Sequence, residues 1–262
     1  MSKQGRAGEM TGPAISLRNV SKTFGGPDGV TALEDVEFMV ADQEFVSILG
    51  PSGCGKSTVL RIIGGLLEWD DGEVDVVGQP INGPSDDAGI VFQTANLLPW
   101  RNVVENLLLG VEIHRDSLSA AKQQLPEMLQ TLGLVGFEKA FPHELSGGMR
   151  QRVAIGQALI RNPRVLLMDE PFGALDALTR DRLNVELLRI WQAEKKTVVL
   201  VTHSIAESIF LSDRVLVMSE RPGKIIEDIS IDLPRPRDPR ATREDPAFGN
   251  YVVQLSEIMG VL

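Results

Sequence analysis

A chain of 262 residues, 43% apolar and 24% charged, can bury a sizeable core without disulfide or metal staples, which excludes a mostly disordered chain and a polytopic membrane protein. No apolar run nears the roughly 18 residues of a membrane span; the N-terminal MSKQGRAGEMTGPA lacks a secretory stretch and one cysteine makes no internal disulfide, so the expected compartment is the cytoplasm. With 26 basic against 36 acidic residues the formal charge is −10, which argues against a nucleic-acid binder and leaves any anionic ligand dependent on a preorganised loop, a helix N-terminus or a metal ion.

In chain order, residues 14–20, 32–40 and 44–49 read as extended and 57–67 as helical, so antiparallel hairpins precede a strand that feeds a glycine loop. Residues 74–77 and 89–92 read as further strands. Helical patterns at 103–112, 118–132 and 148–160 make the middle of the chain a helical insert. Residues 165–168, 198–201 and 214–218 are short, branched and apolar, as buried parallel strands are, with helices at 176–194 and 204–211 between them. The alternation predicts an α/β fold, a sheet sandwiched by helices. The run 234–240, PRPRDPR, is neither central strand nor helix, because its prolines remove donors and fix the backbone, and it reads as a linker. Val252, Leu255, Met259 and Leu262 recur at helical spacing and predict an amphipathic helix that packs on its own domain or docks on a partner.

The run Gly50-Pro51-Ser52-Gly53-Cys54-Gly55-Lys56-Ser57 fits G-x-x-x-x-G-K-[ST] in full, between an expected strand and an expected helix. There, successive backbone N–H groups and the helix dipole converge on phosphate oxygens; Lys56 reaches the β and γ phosphates, Ser57 ligates Mg²⁺, and Thr58 continues the cradle. A hydrolytic nucleotide site also needs a carboxylate near the metal and a group to activate water. The run Val165-Leu166-Leu167-Met168-Asp169-Glu170 supplies Asp169 for the first and Glu170 for the second. Cys54 lies at a helix N-terminus beside a lysine, a setting that raises thiol reactivity, so alkylation is expected to inactivate the protein and MgATP to protect it.

With Leu145-Ser146-Gly147-Gly148-Met149-Arg150-Gln151-Arg152 followed by MDEPFGALD, the chain resembles the ATP-binding subunits of ABC transporters over roughly residues 15–232. The resemblance implies a P-loop ATPase with a mainly parallel sheet core, an antiparallel β subdomain and a helical subdomain. It places Phe24 under the adenine, Gln93 in a loop that reaches the metal, Asp176 in the loop after the acidic pair, and His203 at the γ-phosphate, where it orients water or Glu170. Ser204 follows that histidine where the family commonly has aspartate. Ser146, Gly147 and Gly148 precede a helix and form both its cap and a second anion site.

One compact chain does not fold that second site back on its own phosphate loop, so the resemblance implies a head-to-tail homodimer in the ATP-bound state, each ATP held by Lys56 of one chain and Ser146 of the other. The expected division is a flexible N-terminus at 1–13, an ATPase domain at 14–232 with its helical subdomain at about 96–162, and a linker with a short helix at 233–262. A P-loop ATPase with no span of its own acts on another chain. The resemblance implies integral membrane permease subunits, met through the loop around Trp100, with an extracytoplasmic solute-binding protein as an indirect partner and the cytoplasmic face of the bacterial inner membrane as the location. The runs at 97–103, 82–84 and 219–223 look like the branch importing taurine, alkanesulfonate, nitrate or bicarbonate. An exporter ATPase, a soluble ABC ATPase acting on nucleic acid or ribosomes, and a phosphotransferase are the alternatives.

Overall fold

The computed structural model describes residues 12–25, 29–173 and 176–262, so most of the N-terminal stretch expected to be flexible lies outside the described residues. In chain order, β1 (Ile15–Phe24), β2 (Val30–Val40) and β3 (Phe45–Leu49) precede the glycine loop and α1 (Lys56–Ile63). Next come β4 (Asp71–Val76), β5 (Gln79–Pro80) and β6 (Ala88–Val91), then the helical insert of α2 (Val103–Leu107), α3 (Leu109–Ile113), α4 (Leu118–Thr131) and α5 (Gly147–Leu159). The chain continues through β7 (Val165–Asp169), α6 (Ala177–Glu194), β8 (Thr197–Thr202), α7 (Ile205–Leu211) and β9 (Arg214–Met218), followed by β10 (Ile225–Ser230), α8 (Ala241–Glu244) and α9 (Pro246–Ile258).

The strands form two sheets, an antiparallel one in the order β2-β1-β4-β5 and a six-stranded one in the order β10-β9-β3-β8-β7-β6. In the second, β9, β3, β8, β7 and β6 are mutually parallel and β10 alone runs antiparallel at the edge. The parallel strands are mostly apolar because both faces are buried, with polar residues chiefly at their ends. Along β3, Phe45 and Leu49 enter the core shared with the helical insert, while Val46 and Ile48 enter the core shared with α1 and the antiparallel sheet. β7 and β8 alternate in the same way, Leu166, Met168, Val198 and Leu200 facing one core, Val165, Leu167, Val199 and Val201 the other.

Several boundaries differ from the sequence expectation for local reasons. α1 stops at Ile63 because Gly64 and Gly65 follow, the latter at φ 67°. The expected helix at 103–112 is divided at Leu108, between the weak helix formers Asn106 and Gly110. β10 carries charges and exposed positions in place of an apolar run, as edge strands do, and sequence reading passed over it. The run 234–240 is irregular yet tied down: Arg237 donates to the carbonyls of Ile209 and Phe210 at 2.8 and 3.1 Å, and Arg235 pairs with Asp213 at 2.7 Å. Among the described residues no helix is long and apolar enough to cross a membrane.

Candidate active site

The site lies beyond the carboxyl ends of the parallel strands, where ligands of such sheets bind. β3 ends at Leu49 and releases the chain into the glycine loop, in which Gly53 and Gly55 adopt φ 80° and 109°. A Cβ on Gly55 would stand 2.7 Å from Leu33 Cδ2 and 2.9 Å from the Ala32 carbonyl, so only glycine fits between loop and β2. α1 then starts with no side-chain cap and no acidic residue in its first turn, which leaves its leading N–H groups and dipole for an external anion. The Lys56 ammonium, buried, donates to the carbonyls of Gly50 and Pro51 at 2.7 and 2.9 Å.

Neighbouring strands deliver the acids. Ser57 Oγ donates to Asp169 Oδ1 at 2.7 Å, joining the first turn of α1 to the end of β7. Glu170, at φ 44°, donates its backbone N–H to the Val201 carbonyl of β8 at 3.0 Å. His203 stands just past the end of β8, so the β7–β8 pairing puts the two side chains together: His203 Nδ1 lies 3.2 Å from Glu170 Oε2. Phe24 at the end of β1 leaves 43% of its surface exposed, and the Lys22 ammonium stands 5.7 Å from its ring centroid. A cleft of about 430 Å³ gathers Phe24, Ser52, Gly53, Gly55, Lys56, Ser57, Thr58, Gln93, Asp169 and Glu170.

Four expected site residues stand apart from that cleft. Ser146 caps α5, accepting from Met149 N–H at 3.2 Å, with Gly147 in the first turn; Gly148 is buried, and a Cβ there would meet Thr179 and Leu183 of α6 at 3.4 Å. Asp176 caps α6, accepting from Thr179 N–H at 3.0 Å, a bond that holds its carboxyl below the usual carboxylate range. The two exposed helix starts therefore lie side by side on the surface.

Cys54 is a correction. The residue is 1% exposed and belongs to the core cluster shared by α1 and the antiparallel sheet, so burial rather than the neighbouring lysine governs its access to reagents; within the loop its thiol accepts from the Lys56 ammonium at 4.0 Å.

Two residues were not identified as site residues by the sequence reading. Gln151, buried on α5, donates to the Phe92 carbonyl at 3.3 Å, linking that helix to the residue before Gln93. Arg221, between β9 and β10, lines the cleft and donates to the Gly53 carbonyl at 2.8 Å from Nη2 and 3.2 Å from Nε. Ser204, in the position of the family's aspartate, still caps α7 by accepting from Glu207 N–H at 3.3 Å. Behind His203, the buried Glu207 carboxylate accepts from the Thr202 hydroxyl, and burial pushes its carboxyl up from the ordinary range.

The ABC transporter family profile matches residues 33–173. The chain is 48% identical to an ABC transporter ATP-binding protein of Methanocaldococcus jannaschii, over 86% of this chain and 84% of that one. It is 47% identical to the aliphatic sulfonates import ATP-binding protein SsuB of Bacillus cereus, over 85% and 88%. Its fold matches a dimeric bacterial ABC transporter cassette, and a post-hydrolysis form of that cassette bound to ADP and phosphate, at TM-score 0.72 and 35% identity over 83% of this chain and 98% of the other. The fold is thus that of an ATP-hydrolysing cassette, and the chain belongs to the ABC transporter family.

Proposed function

We propose that this ATPase energises a separate membrane permease that imports aliphatic sulfonates or a similar small organic anion. The substrate class comes from the SsuB likeness, since the solute need never touch this subunit. In this reading the chain sits at the cytoplasmic face of the membrane, works as a head-to-tail dimer, and meets the permease through the loop that carries Trp100, which is 70% exposed. Asn106, fully buried, folds that loop around itself: its side chain accepts from Leu98 N–H at 2.8 Å and donates to the Arg101 carbonyl at 2.8 Å. A solute-binding protein on the far side of the membrane delivers the anion.

The observation that carries the hydrolytic mechanism is the Glu170 and His203 pair at the mouth of a cleft already furnished with Lys56. Glu170 accepts a proton from the attacking water as its oxygen bonds to the γ-phosphorus; the bond to the β-bridging oxygen breaks and ADP departs with that electron pair. His203 holds the Glu170 carboxylate in place. Lys56 exchanges its carbonyl partners for the β and γ oxygens and neutralises the charge that develops there. Ser57 Oγ and Asp169 Oδ1, within one hydrogen bond of each other, are the hard oxygen donors that suit Mg²⁺, with Gln93 on the same cleft wall. Bound there, Mg²⁺ would offset phosphate charge.

Uptake of labelled taurine, a longer alkanesulfonate, nitrate and bicarbonate in source cells, comparing the native chain with Lys56→Ala, tests the reading. Loss confined to sulfonates is expected. Full sulfonate uptake in the variant would remove the proposal.

A further inference from the structure

We infer that Arg221 is a positioning residue for the nucleotide, holding the phosphate loop by its Gly53 carbonyl; this rests on the reading of the cleft as the ATP site. The turn between β9 and β10, Ser219-Glu220-Arg221-Pro222-Gly223, is pressed against the outside of the loop. A Cβ on Gly223 would stand 2.1 Å from the Cys54 carbonyl oxygen, so a residue without a side chain is what lets the turn approach. Gly223 also donates to the Ala32 carbonyl at 2.9 Å and accepts from Glu34 N–H at 3.1 Å, which fastens the turn to β2. Ser219 Oγ closes it from within, donating to the Pro222 carbonyl and accepting from Lys224 N–H, each at 3.0 Å. Arg221 is therefore presented from a braced turn.

An anion cradle works only if its N–H groups face the ligand and its carbonyls face away, because a carbonyl oxygen turned toward phosphate repels it. Gly53 is the loop glycine least held by its surroundings: at φ 80°, only Arg221 Nη2 lies within 4 Å of where a Cβ would stand, whereas Gly50 and Gly55 are closely packed. The two guanidinium donors on its carbonyl oxygen supply that restraint as charge-assisted hydrogen bonds. Among the described residues that line the cleft, Lys56 and Arg221 are the cations, opposite Asp169 and Glu170. In a chain of net charge −10, the second cation also helps to draw in a triphosphate. The turn belongs to a run that the sequence analysis singled out only as a mark of transporter branch; the contacts give it a part in nucleotide binding.

The test compares wild type, Arg221→Ala, Arg221→Lys and Lys56→Ala as full chains, measuring MgATP and MgADP dissociation constants, ATP turnover, and melting without nucleotide. Arg221→Ala is expected to weaken both nucleotides about tenfold, or about 1.4 kcal/mol. Its KM for ATP should rise in proportion while kcat falls less than about threefold, and its unliganded melting point should stay within about 2 °C of wild type. Arg221→Lys, which keeps a charged donor for the Gly53 carbonyl, should recover affinity to within about threefold of wild type. Wild-type affinity in Arg221→Ala, or a weakening matched by a comparable loss of unliganded stability, would overturn the positioning role. If wild type bound no MgATP, or Lys56→Ala bound it as well as wild type, the reading of the cleft itself would fall, and the Arg221 role with it.

Discussion

At the scale of single residues, the site was legible where chemistry restricts composition. Phosphate demands closely approaching backbone and a fixed cation, and the sequence meets this with Gly53, Gly55 and Lys56 in one turn. Glu170 was legible from its place after an apolar run, and the structure adds how it is held, through the Val201 carbonyl and at 3.2 Å from His203. Arg221 was not, because its partner lies 168 residues away in sequence and no local pattern records the contact. Cys54 went wrong for a related reason: its neighbours in sequence are polar or glycine, but its neighbours in space are the core of the antiparallel sheet. For Glu170→Gln, the loss of an ionised proton acceptor at unchanged shape should cut phosphate release by about 10²-fold or more, with the MgATP dissociation constant within about threefold of wild type. Steady-state phosphate release and equilibrium titration check it. A near-normal rate would pass the base role to His203.

At the scale of elements, the parallel strands announced themselves because burial on both faces leaves them mostly apolar, and the tail helix did so through its spacing, with Leu255 buried in the core and Val252 and Met259 packed against it, whereas β10 did not. The prolines of 234–240 correctly excluded helix and strand, yet said nothing of three arginines that reach back to the end of α7 and to α6. Arg235 lies 4.2 Å over the Trp191 ring and donates to the Leu211 carbonyl, and Arg243 pairs with Asp181 at 2.7 Å. Burial lowers the Arg237 guanidinium to about 10, still charged at neutral pH, as suits a cation on the last carbonyls of a helix. The other end of α7 has a pH consequence. Desolvation raises Glu207 above its ordinary 4.5, opposed by the bonds from Thr202 and Asn184 and by Arg180 and His203. As pH rises above 4.5 the unfolded carboxyl ionises first, so the stability its neutral form contributes is full below that pH and is lost as pH climbs through the folded value. Glu207→Gln cannot ionise. Its melting temperature relative to wild type should therefore be more favourable at about pH 8 than at about pH 4, below the unfolded value, measured by reversible thermal unfolding at both. A difference constant with pH would show that folding does not raise the Glu207 carboxyl.

At the scale of the whole molecule, the two helix starts read as anion sites face different demands. α1 opens into the cleft with Lys56 and Ser57, whereas α5 opens at an exposed Ser146 that does not line it. If Ser146 completes the site of a second chain, each composite site takes Lys56 from one subunit and Ser146 from the other, and two broken chains should complement. Lys56→Ala loses the cation on the phosphates; Ser146→Arg fills the second cradle with bulk and removes the hydroxyl. In a mixed dimer both defects fall in the same composite site, and the other site receives an intact Lys56 and an intact Ser146. Random pairing puts half the dimers in this state with one of two sites intact, so roughly a quarter of the wild-type sites return. ATP hydrolysis in the mixture is therefore expected to exceed the sum of the separately measured variants, and to grow with total protein concentration as subunits pair. Were each site built within one chain, every chain in the mixture would still carry a defect, and the mixture would hydrolyse no faster than its parts.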